Sequence, residues 1–191
     1  WHRGVLESEY GVAADKVDWV TVVAERGAAP FPPGARVTTR EGAKISDLLK
    51  SGEVDGALVP RPLPDECVFA DVVAAQRDYL TKTGIYPINH GMAIKRAVFE
   101  REPWVVLNII KAFIAANDIV EAERSEHAAY HFETGLVPAD YRKALATPLI
   151  SYGLKANRKV LETAAKFSNQ QGLTPRVIPM EELFAPNALE S

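Results

Sequence analysis

Apolar residues follow two different rhythms in the two halves of this chain. Up to about residue 95 they come in short runs broken by turn-forming residues, and beyond it they recur at helical spacing. Residues 3–10 carry Val5, Leu6 and Tyr10 on one side and are followed by Gly11, the natural left-handed stop of a helix. Val17 to Val23 is rich in β-branched and aromatic residues and predicts a strand. Residues 26–36 hold three prolines and two glycines and predict a loop. Ile45 to Lys50 predicts a short amphipathic helix ended by Ser51-Gly52. The apolar run Val54 to Val59 then predicts a buried parallel strand stopped by Pro60-Arg61-Pro62.

A helix over 72–82 leads to the turn Thr83-Gly84-Ile85-Tyr86-Pro87-Ile88-Asn89-His90 and a strand near 91–95. Glu102-Pro103-Trp104 opens a long helix to about residue 124, with proline suited to a first turn. Further helices are expected at 125–133, 138–146, 154–171 and 180–184. The pattern therefore predicts an α/β lobe over 1–95 and a helical region over 96–191. The helices have more amphipathic faces than the short strands can cover. Either the chain is a compact α/β domain with a helical tail, or part of the fold lies on residues outside it.

Composition narrows the function only by exclusion. Among 191 residues, 47% are hydrophobic and 25% charged, as in an ordinary globular protein. Lys and Arg number 22 against 25 Asp and Glu, and the net charge of −3 is spread along the chain, which speaks against a nucleic-acid partner. The longest apolar stretch, Trp104 to Ile114, is interrupted by Asn108 and Lys111 and is too short for membrane insertion. The chain starts at Trp1, without methionine and already in helical pattern, so we expect the native N-terminus to precede it.

The turn ending in His90 is the strongest chemical signal. Pro87 fixes one dihedral and removes a donor, so the segment presents His90 with little conformational freedom left to lose. A histidine held in this way can donate a proton near neutral pH, or it can be a hydrogen-bonded turn residue. Arg61 follows directly on the expected strand 54–59, where ligands sit in open α/β sheets, and its planar fork suits a carboxylate. Arg3 lies in the first turn of the opening helix and serves either an anion or a surface ion pair. Tyr86 and Tyr152 either reach a ligand or pack. His127 and His131 have chelating spacing, but no glutamate follows His127 and no third ligand is near, so we read them as an exposed helix face and expect no metal site. Cys67 is expected to be a packed thiol.

Several segments taken together resemble the 4,5-dihydroxyphthalate decarboxylase family. They are Trp1-His2-Arg3-Gly4-Val5-Leu6, Glu9-Tyr10-Gly11-Val12, Val17-Asp18-Trp19-Val20 and Gly52-Glu53-Val54-Asp55-Gly56-Ala57-Leu58. Thr83 to His90 follows, then Pro103-Trp104 with Lys111-Ala112-Phe113, Tyr152-Gly153-Leu154 with Asn157-Arg158, Gln171-Gly172-Leu173 and Glu182-Leu183-Phe184-Ala185-Pro186. The resemblance runs in order along nearly the whole chain. It implies an α/β, type 2 periplasmic-binding-protein-like fold, with this chain carrying the second lobe and the C-terminal helices while the first lobe is largely missing. On that reading the chain is a fragment, or associates with a separate N-terminal fragment or as a homo-oligomer.

The resemblance further implies cofactor-independent loss of one carboxylate from a dihydroxylated aromatic dicarboxylate such as 4,5-dihydroxyphthalate, with His90 as proton donor. Arg61, Arg3, Tyr86 and Tyr152 would bind the small aromatic carboxylate. No cofactor is expected, because the ring itself accepts the electrons. Asn89 stands where the family usually has an apolar residue, and Leu149-Ile150-Ser151 replaces its usual lead into Tyr152, which leaves other aromatic acids open. The alternative from another class is a solute-binding protein of an ABC transporter, taking an aromatic or amine-like molecule. An enzyme would be cytoplasmic, a binding protein periplasmic or extracellular.

Overall fold

A computed structural model describes residues 1–23, 31–59, 67–139 and 150–191. Within them the chain is mixed: mostly helical, with one small parallel sheet. It divides into two compact units, one of residues Trp1–Pro87 with Glu162–Ile178 and the other of Ile88–Leu161 with Pro179–Ser191.

The first unit opens with α1 (His2–Tyr10), closed by the left-handed Gly11, whose N–H donates to the carbonyl of Glu7 while the Val12 N–H donates to that of Leu6. A 3-10 turn at Ala14–Lys16 leads into β1 (Asp18–Thr21), shorter than the expected run from Val17 to Val23. β1 pairs in parallel with β2 (Arg36–Thr39), in a register that sets Asp18 against Arg36 and Thr21 against Thr39. Side chains repeat that register: Arg36 forms an ion pair with Asp18, and the two threonine hydroxyls lie 3.2 Å apart. The sequence pattern misses β2, since all four of its residues are exposed and carry no alternation to read. Of the loop expected at 26–36, residues up to 30 lie outside the described ones, and Arg36 belongs to the strand.

α2 (Ile45–Ser51) ends at the left-handed Gly52, as the Ser51-Gly52 pair predicts. The strand expected at Val54–Val59 does not form. The amides of Glu53 and Val54 turn back to the carbonyl of Leu48 and close α2, and among the described residues no strand runs alongside to complete a ladder. Leu58 is accordingly exposed. The helix α3 (Val72–Thr83) follows, with the Asp71 carboxylate accepting from the Ala74 amide at 2.8 Å as its N-cap. Lys82 on α3 pairs with Glu9 on α1 at 2.7 Å. Cys67, expected to be packed, is exposed beside Val68, since among the described residues no element covers the approach to α3.

In the second unit the strand expected at 91–95 is absent, again for want of a neighbour to pair with among the described residues. The chain instead enters α4 (Arg96–Arg101), which the sequence reading did not foresee. α5 (Trp104–Glu133) is one continuous helix where two were expected, and Pro103 stands at its N-cap rather than inside its first turn. On α5 only Val106 is buried, and Trp104, Ile119 and Val120 are exposed. Of the helix expected at 138–146, residues 140–146 lie outside the described ones.

The helix α6 (Leu154–Gln170) matches its periodicity and is shared between the units at Leu161 and Glu162. α7 (Met180–Leu183) and a 3-10 turn at Pro186–Ala188 complete the chain. Among the described residues the buried apolar side chains are few in each unit: Ala14, Leu48, Ile85 and Phe167 in the first, and Val106, Leu154, Val160, Met180 and Ala188 in the second. No helix among the described residues is long and apolar enough to cross a membrane.

Candidate functional site

The turn that carries His90 is built outward from the end of α3. Gly84 adopts φ 66° and donates its N–H to the carbonyl of Leu80 at 2.7 Å, a conformation that favours glycine. The Thr83 hydroxyl donates to the carbonyl of Tyr79 at 2.7 Å and accepts from the amide of Ile85 at 3.1 Å. Thr83 thus bridges the last turn of the helix to the residue after its cap. Ile85 is buried and anchors the exit, and Pro87 restricts the backbone two residues on. Tyr86 between them is exposed. The division between the two units falls between Pro87 and Ile88. Asn89 and His90 are exposed, and the His90 imidazole makes no hydrogen bond or ion pair among the described residues. A histidine with both ring nitrogens open to solvent can donate to a ligand without first breaking a bond.

Tyr152 belongs to the second unit and is held from several directions. Its ring stacks on Phe113 of α5, with centroids 5.2 Å apart and planes inclined by 22°. The Asn157 amide donates to the carbonyls of Ser151 at 2.8 Å and Gly153 at 2.9 Å, and its oxygen lies 3.3 Å from the Ser151 hydroxyl. One side chain therefore clasps the backbone on both sides of the tyrosine. Behind it, Gly153 at φ 93° leads into α6, whose first amides donate to Ser191: Leu154 to its hydroxyl at 3.2 Å and Lys155 to its carbonyl at 2.8 Å. With its backbone and ring face held, Tyr152 stays half-exposed, and its hydroxyl has no hydrogen bond among the described residues.

In the first unit Arg3 projects from α1 over two aromatic rings. Its guanidinium carbon lies 4.6 Å from the Phe31 centroid and 5.9 Å from that of Trp19. The rings are themselves 5.5 Å apart, and the Trp19 indole donates to the carbonyl of Ala14 at 2.8 Å. Burial lowers the pKa of the guanidinium from the usual arginine value. Nearby on α1, Glu7 receives a long 3.4 Å hydrogen bond from the amide of the buried Gln171.

Of the residues singled out from the sequence, His90 and Tyr152 fall in the second unit, and Arg3 and Tyr86 in the first. Arg61 lies outside the described residues. His127 and His131 stand on exposed positions of α5, and among the described residues no group of three ligating side chains could hold a metal. Phe113 and Asn157 were not singled out as functional. The available signal was spacing: Asn157 stands four residues after Gly153, within reach of the backbone one helical turn back.

No family model matches the chain. It is similar to a 4,5-dihydroxyphthalate decarboxylase of Comamonas testosteroni, with 28% identity over 211 aligned positions. That similarity covers the whole of this chain and 63% of the relative, so the chain spans less than two thirds of the length of the curated protein it matches. The family resemblance read from the residue patterns is borne out at this level.

Proposed function

We propose that this protein is an aromatic acid decarboxylase, acting on a hydroxylated aromatic dicarboxylate such as 4,5-dihydroxyphthalate, with His90 as the proton donor. Similarity to a protein of that name along the entire chain carries the reading. The exposed imidazole of His90, without a hydrogen bond or ion pair among the described residues, supports its role. The proposal includes the two-lobed type 2 periplasmic-binding-protein architecture, with this chain as second lobe and C-terminal helices.

The chemistry follows from the substrate. Each ring carboxylate of 4,5-dihydroxyphthalate has a phenol para to it. Loss of that phenol's proton pushes electrons into the ring, and the carbon bearing the carboxylate takes a proton from the His90 imidazolium. The carbon–carboxylate bond then breaks, its electron pair restores aromaticity, and carbon dioxide leaves. The phenol regains its proton, His90 is reprotonated from solvent, and the product is 3,4-dihydroxybenzoate. General acid catalysis of this kind contributes roughly 10²- to 10⁴-fold in rate.

The carboxylate that stays needs a cation, and Arg61 is assigned that role on its place in the sequence. Arg3 is assigned to the same carboxylate on its charge and planar fork. Tyr86 and Tyr152 are assigned to the ring and its phenols. The test is His90→Ala in the intact protein. The variant should bind the diacid and lose about 10²- to 10⁴-fold in carbon dioxide release. Unchanged turnover removes His90 from the mechanism, and parent protein that binds without releasing carbon dioxide points to a ligand carrier.

A further inference from the structure

Among the described residues assigned to the ligand, Tyr152 is held from several directions. Asn157 holds the backbone before and after it, Ser191 holds the first amides of the helix that follows, and Phe113 lies against one face of its ring. Ordering a tyrosine in this way costs side-chain entropy that a purely exposed residue does not lose. The hydroxyl gains nothing from the arrangement, since it has no hydrogen bond among the described residues, and Tyr152 remains 37% exposed. Phe113 is equally 37% exposed, so the pair is a two-ring ledge rather than a piece of core.

We propose that Phe113 and Asn157 are positioning residues for an aromatic ligand, holding Tyr152 so that its phenol hydrogen-bonds the ligand's ring substituents. The proposal rests on the decarboxylase reading and adds two residues to it. Phe113 fixes the plane of the tyrosine ring, and Asn157 fixes the point from which that ring projects. Neither touches the ligand. Pre-ordering the phenol removes rotamer entropy that would otherwise be lost on binding, and this raises affinity without a new contact. A ring pair of this geometry contributes roughly 2- to 12-fold in an equilibrium constant.

The experiment is a titration of the intact protein with 3,4-dihydroxybenzoate, together with steady-state decarboxylation of 4,5-dihydroxyphthalate. Phe113→Ala should raise Kd and KM by roughly 2- to 12-fold while kcat changes little. Phe113→Trp should recover most of the loss, and Phe113→Leu, which keeps apolar volume but no ring, should not. Asn157→Ala should weaken binding in the same direction. Adding Phe113→Ala to Tyr152→Ala should cost nothing further, because the phenylalanine acts through the tyrosine. Full recovery by Phe113→Leu, or additive losses in the double variant, would show that Phe113 only packs and overturn the proposal. So would a folded Phe113→Ala protein with parental Kd and KM. A parent that binds no hydroxylated benzoate overturns the decarboxylase reading itself, whereas parental binding indifferent to Tyr152→Ala and Phe113→Ala overturns this inference alone.

Discussion

Gly4 and Phe167 meet so closely that a Cβ on the glycine would fall 2.4 Å from two carbons of the phenyl ring. The contact joins α1 to the second half of α6 within the first unit, where Trp1 meets the same ring edge-on at 5.7 Å. Alanine at a helical position normally gains about 1 kcal/mol over glycine. Here that gain is outweighed, because carbon atoms attract at roughly 3.5–4.0 Å and repel steeply inside it. Gly4→Ala should therefore destabilise the fold by about 1–3 kcal/mol, the usual range for overpacking. Urea denaturation gives the measurement, and an unchanged midpoint would mean that the ring moves aside at no cost.

Asp18 and Arg36 provide a pH-dependent contribution at the sheet. The hydrogen bond from Arg36 holds the Asp18 carboxyl below the usual carboxylate range. A lowered folded-state value means stability present above the unfolded value of about 3.9 and lost as pH falls through the folded one. Both side chains are exposed, so the effect is small and screened by salt. Asp18→Asn should flatten the acid limb of a melting-temperature profile and leave neutral pH nearly unaffected. An identical acid limb in the variant would show that the pair contributes nothing.

The clamp at Thr83 makes a prediction about stability. Thr83→Ala removes the donor to Tyr79 and the acceptor for Ile85 together, at a cost of roughly 0.5–1.5 kcal/mol for each bond. Urea denaturation should therefore show a lower midpoint for the variant. Thr83→Ser keeps the hydroxyl and should restore most of the loss. A serine variant no more stable than the alanine one would separate the hydroxyl from the effect.

Gly153 and Gly135 form a matched pair for testing the seat of Ser191. Both have positive φ, 93° and 73°, where alanine is strained by about 1–3 kcal/mol. A Cβ on Gly135 meets nothing within 4 Å, whereas one on Gly153 would lie 2.8 Å from the carbonyl carbon of Ser191. Gly153→Ala should therefore cost more stability than Gly135→Ala, and it alone should weaken aromatic acid binding by disturbing the segment around Tyr152. Equal losses of stability from the two would mean that Ser191 yields freely.

The sequence by itself determined the features whose physics is local. The left-handed stops at Gly11 and Gly52 depend on residues within a few positions of one another. The periodicity of α6 is local in the same sense, because helical hydrogen bonds close over four residues. Strands close over distance, and only tertiary structure decided them. Val54–Val59 has the composition of a strand but spends its first amide on α2, while the unpatterned Arg36–Thr39 finds β1 and pairs. The candidate site divides in the same way. His90 could be read from its own turn, but the ledge under Tyr152 needed Phe113 from a helix far back in the chain. Which aromatic rings meet is set by how α5 and the segment before α6 pack, and no spacing along the chain encodes that meeting.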